Sequence, residues 1–151
     1  MEKQMKQMIR ESSGAKIPLW VGIVIVLGAL LSLVGAVVSK VDPTLLTGGG
    51  VVTSVARVYA DYTFARDLAV AIMLIVLLAL RARLALVGVM SLVALIQLID
   101  TLNDLARGDF SLAPGLLIYA IVFLIGAWQL AGRPLWRAAA WRGGPAPSPS
   151  G

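Results

Sequence analysis

The chain has 151 residues, of which 59% are hydrophobic, a formal net charge of +5, and neither cysteine nor histidine. Soluble domains contain about 45–50% apolar residues, so this composition indicates a membrane protein. The lack of thiols excludes disulfide exchange. The lack of imidazoles removes the usual axial ligand of haem and the commonest ligand of zinc, so we predict no cofactor and no metal site.

Four apolar runs are long enough to cross the membrane, because a helix of about 20 residues spans the hydrocarbon core. The runs occupy residues 17–39, 62–80, 84–102 and 112–131. They predict an all-α integral membrane four-helix bundle that forms one domain, 17–131. A basic segment, 1–16, precedes this domain, and a tail that is first basic and then disordered, 132–151, follows it.

The first run is longer than the about 7–15 apolar residues of a secretory signal, which favours a retained span. Small residues recur along one face of it at helical spacing: Gly28, Ser32, Gly35 and Ser39. Such a stripe lets another helix approach closely, so we interpret it as a helix contact and not as a ligand site.

A predicted outer loop, 40–60, separates the first two spans. Asp42-Pro43 marks a turn, and the glycines at 48–50 break any helix. This loop is long and apolar, so we expect it to lie along the outer interface or to fold over the bundle as a lid. A helix restarts after the glycines and continues into the second span.

The basic turn around Ala82 makes the second and third spans antiparallel neighbours. At 1.5 Å per residue, Arg66 and Asp100 lie about 24 and 27 Å from this turn, which places them at the same level. Charged groups are costly to leave alone in lipid. The sequence therefore predicts an ion pair between Arg66 and Asp100.

Further polar side chains extend this level into a layer in the outer half of the bundle. Gln97, Asp100 and Asp104 fall on one face of the third helix, which must face protein or water. Tyr119 on the fourth helix lies near the same depth. The candidate ligand-binding residues are Tyr59, Tyr62, Arg66, Asp67, Gln97, Asp100, Asp104 and Tyr119.

The distribution of charge predicts the topology. The segments predicted to be cytoplasmic hold nine of the 13 basic residues, namely Lys3, Lys6, Arg10, Lys16, Arg81, Arg83, Arg133, Arg137 and Arg142. All six aspartates fall in the outer segments. By the positive-inside rule, both termini are cytoplasmic and the protein is a multi-pass protein of the plasma (inner) membrane. The same rule accounts for the net charge, so we predict no nucleic-acid partner.

Three features together resemble a known family. The segment FARDL at 64–68 opens the second helix, a short basic turn follows it, and Asp100 closes the third helix before an Arg-Gly loop. This pattern, over 20–131, resembles the DoxX-like superfamily of small four-helix membrane proteins, especially its bacterial branches of unknown function. The resemblance implies a four-helix bundle and supplies little mechanism.

Two functions suit the polar layer almost equally well. In the first, a pocket with apolar walls and a charged rim binds a membrane lipid or another amphipathic small molecule. In the second, the protein is an accessory or scaffold subunit of a larger membrane complex, with a membrane-protein partner or a homo-oligomer, and the ion pair fixes helix register.

Two further functions are less favoured. An isomerase or hydrolase would use Asp100 as acid or base, but pairing with Arg66 keeps that carboxylate ionised and no nucleophile motif accompanies it. We therefore predict no catalytic residue. A small multidrug or ion exporter is disfavoured because the first span carries no carboxylate for a transported cation.

Overall fold

Four long helices make up most of the structure, a computed structural model that describes residues 17–44, 51–108 and 110–141. The helices are α1 (Leu19–Val41), α2 (Ser54–Ala79), α3 (Arg83–Arg107) and α4 (Ala113–Ala131), and a short 3-10 helix (Ala138–Trp141) follows. Each of the four is long and apolar enough to cross a membrane. The described part of the chain is therefore all-helical with four candidate spans, as the sequence predicted.

Three predictions concern residues outside the described ranges. These are the basic N-terminal segment, 1–16, the end of the tail, 142–151, and the lid, whose central residues are 45–50. They stay predictions.

The helices extend beyond the apolar runs that predicted them. The second helix begins about two turns before the predicted start at 62, and the third continues past 102. Thr53 caps α2 by accepting a hydrogen bond from the Ala56 N–H (3.2 Å), and Gly108 ends α3 with φ 75°. The predicted restart of a helix after the glycines is therefore confirmed, and the last part of the stretch 40–60 is helical. Apolar runs indicate only the part of a helix that suits lipid, whereas capping residues decide where it ends.

The helices form two closely packed pairs. Helix α1 packs mainly against α2, and α3 mainly against α4, while less extensive contacts between α2 and α3 and between α1 and α4 complete the bundle. Buried side chains from all four helices meet along its axis, among them Ile25, Leu74, Leu86, Met90 and Phe123. The bundle therefore has one continuous apolar core.

The small-residue stripe on α1 lies at helix contacts, as predicted. A methyl group added at Gly28 would lie 2.6 Å from Cε2 of Phe123 on α4, and one added at Gly35 would lie 2.9 Å from Oδ2 of Asp67 on α2. Ser32 and Ser39, on the same stripe, are buried. The absence of a side chain at Gly28 and Gly35 thus lets α1 approach α4 and α2 closely.

We expect Arg81→Gly to stabilise the protein relative to Arg81→Ala. Arg81, in the turn between α2 and α3, is the one described non-glycine residue with positive φ, 53°. Both substitutions remove the guanidinium, but glycine alone adopts this conformation without strain, so the difference should be about 0.5–1 kcal/mol. Thermal unfolding in mild detergent measures it, and equal melting temperatures would show that the turn stores no strain.

Candidate functional site

Three charged side chains meet between α2 and α3. The Arg66 Nε donates a hydrogen bond to Asp67 Oδ1 (3.0 Å), and Nη1 lies 3.3 Å from Asp100 Oδ2. The predicted ion pair between Arg66 and Asp100 is therefore confirmed, and Asp67 shares the same guanidinium. We call these three residues the charged triad.

The local sequence explains this arrangement. Helices α2 and α3 are joined by a tight turn and extend from it side by side, antiparallel in chain direction. Residues equally far from the turn in sequence therefore lie at equal height. Arg66 and Asp67 are consecutive and point about 100° apart on α2. The long arginine side chain reaches α3, while the Asp67 carboxylate packs against the backbone of Gly35 on α1. The charged triad thus links three helices.

Tyr119 brings the fourth helix into the same region. Its hydroxyl donates a hydrogen bond to the carbonyl of Gly28 (3.1 Å), and its ring packs edge-on against Phe123 with 4.5 Å between centroids. The Ser32 side chain and the Asp67 carboxylate lie close enough to the Tyr119 hydroxyl to influence it. Side chains from all four helices therefore form a polar layer, which consists of Ser32, Arg66, Asp67, Asp100 and Tyr119.

The polar layer is only partly closed. The side chains of Arg66, Asp100 and Asp67 are 40%, 32% and 18% exposed. The guanidinium contacts the two carboxylates through Nε and Nη1, and a large part of the side chain stays exposed. One arginine against two carboxylates leaves the charged triad with a formal charge of −1. The layer can therefore still donate hydrogen bonds to a polar group that approaches Arg66, while its carboxylates can accept them.

Gln97 adds a buried acceptor on α3. Its Oε1 atom is buried and has no hydrogen-bond partner in the described part of the chain. Its backbone carbonyl accepts a hydrogen bond from the Thr101 hydroxyl (2.7 Å). A buried carbonyl without a donor is costly, so a ligand that donates a hydrogen bond to it would gain affinity.

Besides Gln97, three predicted site residues lie outside the polar layer. Tyr59 and Tyr62 are 69% and 72% exposed, and Asp104 is half-buried without an ion pair to a described residue. The two tyrosines do share a face of α2 with Arg66, as the helical period predicts. That face points out of the bundle, and only Arg66 is long enough to reach back to α3.

Ser32 was not among the predicted site residues. Its spacing identified it only as part of the small-residue stripe, and a single serine on such a stripe serves helix packing as readily as polar contact. The one signal that could have identified Ser32 was its position on α1, at about the depth predicted for Tyr119.

We expect Asp100→Asn to destabilise the protein more than Asp104→Asn does. The first substitution removes a carboxylate that contacts Arg66, which at this exposure is worth about 1 kcal/mol, while the second removes a carboxylate without a described ion pair and should stay within about 0.5 kcal/mol. Both replace aspartate with asparagine on the same helix, one turn apart. Equal shifts in melting temperature would show that the ion pair contributes nothing specific.

No group of three or more acidic, histidine or cysteine side chains suited to a metal ion occurs among the described residues. Comparison of the chain with protein-family models, with curated proteins and with solved structures finds no match. A functional interpretation therefore rests on the geometry of the polar layer.

Proposed function

We propose that this is a multi-pass protein of the plasma (inner) membrane that binds a lipid-like or other amphipathic small molecule at its polar layer. Four helices suited to crossing a membrane support the location. The excess of arginines at one end of the bundle supports an orientation with both termini cytoplasmic. Membership of the DoxX-like superfamily is part of the proposal and rests on segment 64–68, the basic turn and Asp100.

The observation that carries the binding proposal is the state of the Arg66 guanidinium. Two carboxylates hold it in a fixed orientation, yet 40% of the side chain is exposed. A charged group inside the membrane is costly in free energy unless it makes polar contacts. An arginine that is held in a fixed orientation and is still partly exposed is therefore suited to contact a ligand. The polar part of that ligand would contact Arg66 and Asp100.

The surroundings of Arg66 favour an amphipathic ligand over a small hydrophilic one. Met73 lies two turns away on the same face of α2 and is 45% exposed, and Ile99 beside Asp100 on α3 is 49% exposed. Helices α2 and α3 pack less extensively than the two main pairs, which leaves apolar surface along their junction. An apolar tail that follows this junction would replace lipid contacts at little cost.

The alternative, an accessory subunit of a larger complex, is favoured by the exposure of α2. In the most apolar stretch of this helix 17% of the residues are buried, compared with 33% in each of the other three helices. A helix with so few buried residues leaves much of its surface available to a partner. A catalytic role for Asp100 has less support, because no nucleophile motif accompanies it.

Native mass spectrometry of the protein extracted from its membrane in mild detergent tests the binding proposal. We expect a bound small molecule that Arg66→Lys releases, since lysine keeps the charge but loses the planar fork of donors. Arg107→Lys, the same change at an exposed arginine outside the polar layer, should retain it. A protein free of small molecules, or equal loss from both variants, would overturn the proposal. A bound protein subunit in place of the small molecule would support the alternative.

The absence of cysteine allows a direct test of topology. Val51, which is 88% exposed, and Ala138, which is also exposed, lie on opposite sides of the membrane in the proposed orientation. In intact cells a membrane-impermeant maleimide should label Val51→Cys and leave Ala138→Cys unlabelled until the cells are opened. The reverse pattern would invert the topology.

A further inference from the structure

The end of the bundle opposite the polar layer carries a concentrated positive charge. The Arg83 Nη2 donates a hydrogen bond to the carbonyl of Leu130 (2.9 Å), which joins the start of α3 to the end of α4. This contact brings the turn around Arg81 to the same end as the segment that follows α4. We call this region the basic end; its arginines are Arg81, Arg83, Arg133 and Arg137. The described residues of this end, 17–25, 77–86 and 127–141, include no acidic side chain.

Two of these arginines are available for binding. Arg81 and Arg137 are exposed, and neither side chain makes an ion pair or hydrogen bond with a described residue. The backbone N–H of Arg137 donates to the carbonyl of Pro134 (3.0 Å), which orders the main chain there and leaves the guanidinium unused. Both arginines can therefore contact an anion without breaking an existing interaction.

Tryptophans surround the same end. The indole of Trp20 donates to Gln129 Oε1 (2.9 Å), and that of Trp141 donates to the carbonyl of Leu135 (2.7 Å), whereas Trp136 is 83% exposed. Gly132 ends α4 with φ 64°, so the chain turns away from the helix axis before these last two tryptophans. Exposed tryptophan is typical of the boundary between lipid headgroups and hydrocarbon.

We propose that the basic end binds the phosphate groups of acidic phospholipids, with Arg81 and Arg137 as the main contacts. A guanidinium matches a phosphate geometrically and in charge, and basic side chains at a membrane surface gain from anionic lipid. A soluble polyanion would contact the arginines but would leave the exposed tryptophans without an apolar environment. The basic end thus combines two arginines that have no described partner with exposed tryptophan, and its described residues include no acidic side chain. This combination fits the headgroup region. This site is distinct from the polar layer, since Arg66 lies about 24 Å along α2 from the turn.

Nanodiscs that contain phosphatidylcholine and phosphatidylglycerol provide the test. Native mass spectrometry of the full chain released from them counts the lipids retained on the protein. We expect a preference for phosphatidylglycerol that falls about tenfold in the variant R81Q/R137Q. The control R57Q/R107Q removes the same charge from exposed arginines at the opposite end and should keep the preference. Thermal unfolding of each variant verifies that it is folded.

Three results would overturn this inference. The first is equal retention of the two lipids by the unchanged protein. The second is an equal loss of preference in both double variants, which would show only the effect of net charge. The third is competition by millimolar inorganic phosphate as effective as that by phosphatidylglycerol vesicles, which would identify a site for free anions. Persistence of the preference at raised salt in the unchanged protein, together with its loss in R81Q/R137Q, would support specific headgroup contacts.

Discussion

Gly28→Ala is expected to lower the melting temperature of the protein by several degrees, although alanine is the better helix former. A methyl group at this position would overlap the Phe123 ring and lie 2.8 Å from the Tyr119 hydroxyl. Phe123 is almost completely buried, so its ring cannot move without disturbing its neighbours. Overpacking of this kind costs about 1–3 kcal/mol, and each kcal/mol corresponds to about 2–4 °C in a chain of this size.

Gly22→Ala is the matched control for this prediction. It makes the same change on the same helix, but an added methyl group at Gly22 meets nothing within 4 Å. We expect its melting temperature to be unchanged or slightly raised. The double variant Gly28→Ala/Phe123→Leu should recover part of the loss, because the smaller side chain leaves room for the methyl group. If Gly22→Ala and Gly28→Ala lowered the melting temperature equally, the close approach of α1 to α4 would not be the cause.

The features that the sequence predicted correctly depend on distance along the chain. The height of Arg66 and Asp100 follows from the tight turn between their helices, because helical rise is nearly constant. The stripe that includes Gly28 and Gly35 follows from helical period in the same way. Local geometry determines these relations, so a single sequence is sufficient to predict them.

The features that the sequence did not predict depend on rotation and side-chain reach. Tyr59 and Tyr62 share a face with Arg66, but helical period does not indicate whether that face points into the bundle, and both tyrosines are exposed. The sequence predicted that a helix restarts after the glycines, but the residue at which α2 begins depends on the side-chain cap at Thr53 and not on hydrophobicity. Asp67 was among the predicted residues, but its position does not follow from helical period, because its carboxylate lies against Gly35 of α1 and contacts Arg66 of its own helix.

Arg66→Met is expected to destabilise the protein more than removal of either carboxylate does. It leaves Asp67 and Asp100 close together without their shared cation, and Asp67 is mostly buried. Removing one partner of a fully buried ion pair costs about 3–5 kcal/mol; because Arg66 is 40% exposed, we expect on the order of 2 kcal/mol, or about 4–8 °C. Arg57→Met is the control, since it removes an exposed arginine of α2 without an ion pair among the described residues.

The triple variant Arg66→Met/Asp67→Asn/Asp100→Asn separates structure from function at the charged triad. It removes the cation and both carboxylates, so no charge is left unpaired and most of the lost stability should return. A melting temperature as low as that of Arg66→Met would mean that the arginine acts through packing and not through its charge. If the triple variant is stable but releases the small molecule that the unchanged protein retains, the charged triad binds a ligand. If the triple variant is stable and retains the molecule, the charged triad does not bind that molecule. Its role would then be limited to fixing helix register.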